Sequence, residues 1–258
     1  KIAGFCSSHD CSYCILENGV PIVHNELERF IREKEPTADA FKFMINSGEN
    51  LDEIKHFTHC FDTWNGGIER RFPDSFRKMK DILKRNGGRY YIPGHHQSHA
   101  ANAFFSSNYD EALIITVDGG GRDYGPKGEM IITNFTVWEG KQNKISAIDI
   151  VDGTKLNIGT AWSSVTGQAF GLSTGHPQGN QAGTVMAMAC MGEPKYLDVF
   201  LNAGLRGSTG LDFAYLKSIV DKSEQDAFDV AASLQVATEI TIKNWFAKYL
   251  EKHPYKYL

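Results

Sequence analysis

Two stretches of this chain read alike, each as three consecutive β-strands with a polar turn after the first. In the first stretch Ile2 to Ser7 is apolar and β-prone, Ser8 to Asp10 is a turn, and Ser12 to Glu17 and Pro21 to Glu26 continue as strands joined at Asn18-Gly19. Asn-Gly between β-runs is the strongest short hairpin signal, because both residues tolerate the positive φ of a type I′ turn. In the second stretch Ala112 to Val117 reads as a buried strand and Asp118 to Gly121 as a glycine turn. Met130 to Glu139 and Lys144 to Asp152 then form two further strands around a turn at Gly140. A pattern repeated in this way constrains the chain to two similar halves, about 1 to 110 and 111 to 258, with no low-complexity linker between them.

The first triplet is followed by a helix-compatible stretch from Ala38 to Asn46, a strand near Ile54 to Cys60, and a helix from Pro73 to Arg85 ended by Gly87 and Gly88. The order is βββαβα. After a short strand at Arg89 to Ile92, Pro93-Gly94 breaks the chain and HHQSHAANAFF reads as a helix to about Ser106. Beyond Asn157 the pattern turns helical, with segments at Gly159 to Phe170, Ala182 to Met191 and a long amphipathic run from about Glu224 to Lys252. The strands that close the second half are expected after Leu258, or from another chain.

Composition narrows the function classes. The chain has 258 residues, 41% of them hydrophobic and 22% charged, with a formal net charge of -4. That balance excludes a disordered chain, and the length suffices to bury a sizeable core. No stretch approaches the ~18 apolar residues of a membrane span, and KIAGFCSSHD lacks the layout of a signal peptide, so a cytoplasmic protein is expected. The mildly acidic charge argues against a broad nucleic-acid surface and favours small-molecule ligands. Five cysteines do not suggest a disulfide framework. Cys6, Cys11 and Cys14 have the C-x4-C-x2-C spacing of an iron-sulfur loop, but they fall in β-runs where a small thiol packs as a hydrophobe.

The chemistry-bearing residues cluster around the two polar turns. His95 and His99 are i and i+4 at the start of a predicted helix, so both imidazoles leave one face and can share a metal ion. A zinc-protease reading fails because position 96 is His where a general-base Glu is needed. Nineteen residues after His99, the strand ends in Asp118-Gly119-Gly120-Gly121, where a carboxylate can be a third ligand and Gly119, Gly120 and Gly121 leave backbone N–H groups open to a phosphate. The matching turn in the first half is Ser7-Ser8-His9-Asp10. Ser8 and Asp10 there can hold phosphate or a metal-bound water, and the imidazole of His9 can accept a proton. Two such turns facing one cleft are how nucleotides bind in the sugar kinase, heat-shock ATPase and actin superfamily, built from two βββαβα halves. The expected fold is therefore α/β and two-lobed, of that duplicated type, with the second lobe incomplete at Leu258.

Three segments, SSHDCSYCILENG, ELERFIREK and HHQSHAANAFFSSNYDEALIITVDGGG, together resemble the N-terminal domain of carbamoyltransferases of the nodulation and antibiotic-biosynthesis type. The resemblance runs from about Lys1 to Gln235, and the tRNA threonylcarbamoyl transferases and the hydrogenase-maturation carbamoyltransferase are more distantly similar. It implies that carbamoyl phosphate and ATP give a carbamoyl adenylate, whose carbamoyl group passes to an acceptor hydroxyl beside a divalent metal, with iron the expectation. It also implies that His95, His99 and Asp118 hold the metal, that His9 takes the hydroxyl proton, and that Lys34 holds a carbamoyl or phosphate oxygen. The acceptor is a small molecule or nucleoside. A C-terminal or separate domain is expected to make the adenylate, and a glycine-rich adenosine motif with a further metal-binding Asp is expected after the long helix. Two departures stand out: Thr184 to Gly192 replaces the KVMGLAPYG of many relatives, and Arg122 stands where a Glu is usual.

Two other readings keep the same fold. A tRNA threonylcarbamoyl transferase would carry a basic stripe, against which the net charge counts. A non-catalytic nucleotide-binding module would act through a partner.

Overall fold

The computed structural model describes residues 1–7, 9–60, 67–125, 127–172 and 181–258, which form two compact units. The first comprises residues 1–98 and 122–130 and the second residues 99–121 and 131–258.

In the first unit β1 (Ile2–Cys6), β2 (Ser12–Glu17) and β3 (Val20–Glu26) form an antiparallel meander, followed by α1 (Leu27–Ile31) and α2 (Ala40–Asn46). The chain then runs through β4 (His56–His59), α3 (Gly67–Arg71), α4 (Pro73–Asn86) and β5 (Arg89–Tyr91). The five strands lie in the order β3-β2-β1-β4-β5, with β4 parallel to β1 and β5 parallel to β4. The turn between β2 and β3 carries Asn18 at φ 51° and Gly19 at φ 82°, the left-handed pair that the hairpin requires. Alternation along β1 and β2 sends Ala3, Phe5, Tyr13 and Ile15 inward, where they meet Phe41 and Met44 of α2 and Met79 and Ile82 of α4. Cys11 is buried beside them, and burial pushes its thiol up to about 12, away from the thiolate that cluster ligation needs.

Helix α5 (His95–Phe105) and strand β6 (Glu111–Tyr124) contribute residues to both units. In the second unit β6, β7 (Met130–Lys141) and β8 (Lys144–Val151) form a three-stranded sheet in that order. It is followed by α6 (Ile158–Ser164), α7 (Ala182–Ala189), α8 (Leu197–Ala203), α9 (Phe213–Val220) and α10 (Glu224–Lys252). Strand β6 is buried on both faces. Leu113 joins the main core with Phe135, Leu156, Phe200 and Leu234, while Ala112 and Ile114 pack with Ala100 and Phe104 of α5 and with Trp138. The fold is thus α/β, with a βββαβα lobe of the ATPase-like type in the first unit and the three-strand opening of that pattern in the second.

Three expectations are corrected. The glycine turn at Asp118 to Gly121 does not form, because β6 continues through it to Tyr124; the chain bends back beyond, where Gly125 N–H donates to the Glu129 carbonyl at 2.7 Å. The turn expected at Gly140 falls two residues later, at Gln142 with φ 52°. Gly140 is needed instead for packing, since a Cβ there would lie 2.7 Å from the Phe104 ring. The helix beginning near Gly159 changes character at Val165, and Val165–Ala169 is a π-helical turn. Helices α1, α3, α8 and α9 were absent from the pattern; α1, α3 and α8 span only 5 to 7 residues, too short to show a helical period.

Helix α10 is buried on all sides between Asp229 and Leu234, so that stretch, in its N-terminal half, is not amphipathic. Asp229, fully buried, accepts from Glu193 N–H at 2.8 Å, Lys195 Nζ at 2.5 Å and Gln225 Nε2 at 3.0 Å. The Glu193 N–H first, then the Lys195 ammonium, hold its carboxyl down to about 2. A carboxyl depressed below its unfolded value of about 3.9 stabilises the fold fully above that pH, and the contribution is lost as pH falls through about 2. Urea melts of an Asp229→Asn variant should therefore show a lowered midpoint at neutral pH, and a smaller decline between about pH 4 and 2 than the parent chain shows.

Candidate functional site

The start of α5 and the far end of β6 meet within the first unit. The first N–H groups of a helix have no partner inside it. Here Asp123, buried in β6, supplies both oxygens: Oδ2 accepts from His96 N–H at 3.0 Å and Oδ1 from Gln97 N–H at 3.0 Å. Ser98 Oγ donates to the Gly94 carbonyl at 2.7 Å, and the rings of His95 and His96 meet edge to face at 5.4 Å. His96 is fully buried, whereas His95 is only half-buried. Asp123 was not singled out in the sequence. Its signal there is faint, a carboxylate on the same alternating positions of β6 as buried Gly121.

Helix α5 is continuous across His95 and His99, so the expected i, i+4 pair stands on one helical face. In the second unit His99 Nε2 lies 3.5 Å from Asp118 Oδ2, and both side chains reach solvent. The other Asp118 oxygen, Oδ1, accepts from the N–H of Gly119 at 2.5 Å. The Gly119 carbonyl accepts from Asn134 Nδ2 at 2.7 Å and from Thr160 Oγ1 at 3.1 Å. Asn157 caps α6 by accepting from Thr160 N–H at 3.0 Å, which seats that hydroxyl at the strand. Gly119 thus already gives its N–H to a carboxylate, and Gly120 and Gly121 lie in extended strand. Imidazole nitrogens and a carboxylate oxygen suit a borderline divalent cation such as iron or a neighbour.

The turn after β1 belongs to the first unit. Ser8 lies outside the described residues. Ser7 is buried, its Oγ accepting from Ala40 N–H at 3.2 Å and its carbonyl from Arg71 Nη1 at 3.2 Å. His9 Nδ1 lies 2.6 Å from Asp10 Oδ2, with Asp10 at φ 60°, a left-handed conformation that Asp tolerates. Lys34 forms an ion pair with Glu28 at 3.1 Å and is 82% exposed, as a residue of a solvated charge run would be.

No protein-family model matches the chain. An uncharacterized protein of Synechocystis sp. is 31% identical over 90% of this chain and 45% of its own length. One from Methanocaldococcus jannaschii is 29% identical over 46% of this chain and 22% of its own length. The chain thus spans less than half the length of these relatives. Among solved structures, full-length HypF in its phosphate- and nucleotide-bound form matches 91% of this chain and 30% of its own, with TM-score 0.40 and 14% identity. YeaZ from Pseudomonas aeruginosa matches 64% of this chain and 78% of its own, with TM-score 0.35 and 9% identity. A putative N-acetylglucosamine kinase from Porphyromonas gingivalis gives TM-score 0.31 at 13% identity, over 97% of this chain and 72% of its own. All three scores are low, and the fold assignment rests on the strand order of the first unit. Among the described residues no helix is long and apolar enough to cross a membrane.

Replacing Asp123 by Ala removes acceptors for two helix N–H groups at once. It should destabilise the chain by about 1–2 kcal/mol in urea melts and accelerate amide exchange at His96 and Gln97, with Asp123→Asn intermediate in both.

Proposed function

We propose that the chain is part of a metal-dependent carbamoyltransferase, which moves the carbamoyl group of carbamoyl phosphate, by way of carbamoyl adenylate made with ATP, to a hydroxyl of a small molecule or nucleoside. The observation that carries the reading is the approach of Asp118 to His99, one helical turn from His95, inside the densest part of the resemblance. His95, His99 and Asp118 would hold the divalent metal, which when bound supplies positive charge to phosphate and carbonyl oxygens.

The proton chemistry belongs to the other turn. With His9 Nδ1–H donating to Asp10, the lone pair lies on Nε2, and that atom is the one assigned to accept the proton of the attacking hydroxyl. Asp10 then stabilises the imidazolium that forms. Lys34 is assigned to a carbamoyl or phosphate oxygen, which it reaches by releasing Glu28. Because the relatives are more than twice as long, the adenylate-forming step is assigned to sequence outside this chain.

Calorimetric titration with carbamoyl adenylate, with and without ferrous ion, tests the reading beside a His95→Ala, His99→Ala double variant. Binding should depend on the metal and be lost in the variant. In the full-length protein His9→Ala should leave donor binding nearly intact and lower transfer by about 10²–10⁴-fold. Donor binding in the parent that is indifferent to both metal and the histidines would overturn the metal assignment, and unchanged turnover of His9→Ala would favour a binding module without catalysis.

A further inference from the structure

The tight approach of α6 to β6 in the second unit has no role in the readings above. A Cβ on Gly159 would lie 2.3 Å from the Gly119 nitrogen, 2.4 Å from its Cα and 2.9 Å from the Asp118 carbonyl carbon. No side chain fits there, so the helix start rests directly on the strand backbone. That contact brings Thr160 within hydrogen-bond reach of the Gly119 carbonyl, while Asn134 of the neighbouring strand β7 reaches the same oxygen. Asn134 is itself buried and Gly153 packs against its other amide atom, so its orientation is set from behind. Both donors therefore converge on one carbonyl in the middle of a strand.

We infer that Asn134 and Thr160 are positioning residues for Asp118: by holding the Gly119 carbonyl they keep Gly119 in its extended conformation, so that its N–H, in the preceding peptide, holds Asp118 Oδ1 and leaves Oδ2 directed at His99. The inference rests on the proposed metal reading for its consequence, and on the hydrogen bonds themselves for its geometry. A carbonyl that accepts two hydrogen bonds cannot rotate without breaking both, and the N–H of Gly119 is tied to that carbonyl through the φ and ψ of the residue, which β6 holds extended. Oδ1 is engaged at 2.5 Å, which fixes the carboxylate plane. Without the two donors the carboxylate keeps its charge but loses its preferred direction. The two donors reach Asp118 through the Gly119 backbone and not by a bond to its carboxylate, and groups that orient a ligand govern metal affinity while touching no metal.

The test uses Thr160→Val and Asn134→Leu, which remove the donors at similar volume, and Thr160→Ser, which restores the hydroxyl. Cobalt(II) serves as the probe, followed by calorimetry and by its visible absorption. The Val and Leu variants should bind cobalt about 10–100-fold more weakly than the parent, with an altered absorption spectrum, and Ser should return both toward parent values. Thermal melts run alongside identify a variant that has merely unfolded. Crystal structures of the parent and of Thr160→Val give a readout independent of metal: Asp118 should lose its bond to Gly119 N–H and turn from His99. An unchanged Asp118 in that variant, or cobalt affinity and spectrum equal to the parent's, would overturn the inference. A parent chain that binds no cobalt but whose Asp118 turns in Thr160→Val would retire the metal reading and leave the positioning role standing.

Discussion

The backbone of β6 lies against the start of α6 at a distance that only glycine on the helix permits. Much of the second unit follows from that contact. It seats Thr160 at the Gly119 carbonyl, next to an acidic residue at the solvent boundary. A side chain at Gly159 would hold the helix away and leave the Gly119 carbonyl without the Thr160 hydroxyl.

The same strand serves two purposes along its length. From Ala112 to Thr116 it is a core strand, alternating between two hydrophobic clusters. From Asp118 to Asp123 it carries two carboxylates five residues apart, which do different work: Asp123 is buried and neutralises the start of α5, and Asp118 is half-exposed and faces His99. Five positions along a pleated strand put the two on opposite faces. One is therefore turned to the core and the other toward solvent. The turn after β1 divides its work similarly, with Ser7 buried in backbone bonds and His9 and Asp10 at the surface.

Much of the fold was legible because it rests on local signals. Asn18-Gly19, the alternation of β1 and β2, and the i, i+3, i+4 burial of Met79, Ile82 and Leu83 in α4 are each readable from neighbours in the chain. The long helix α10 was legible in extent but not in environment, since the ion pair and hydrogen bonds that let Asp229 be buried come from Glu193 and Lys195, more than thirty residues away. Of the candidate site, the approach of Asp118 to His99 could be anticipated from the pairing of a helix with a strand carrying a carboxylate. Asp123 escaped, because a buried cap is defined by the N–H groups it meets and those lie 26 and 27 residues away.

By itself, then, the sequence determined where the strands and the longer helices begin, that a triplet of strands occurs twice, and which imidazoles share a helical face, because each depends on contacts within a few residues. Only the tertiary structure decided that the glycines after Asp118 continue a strand instead of turning. A glycine run is compatible with both, and the choice was made by Gly159, Thr160 and Asn134, which approach from distant parts of the chain and hold that backbone extended.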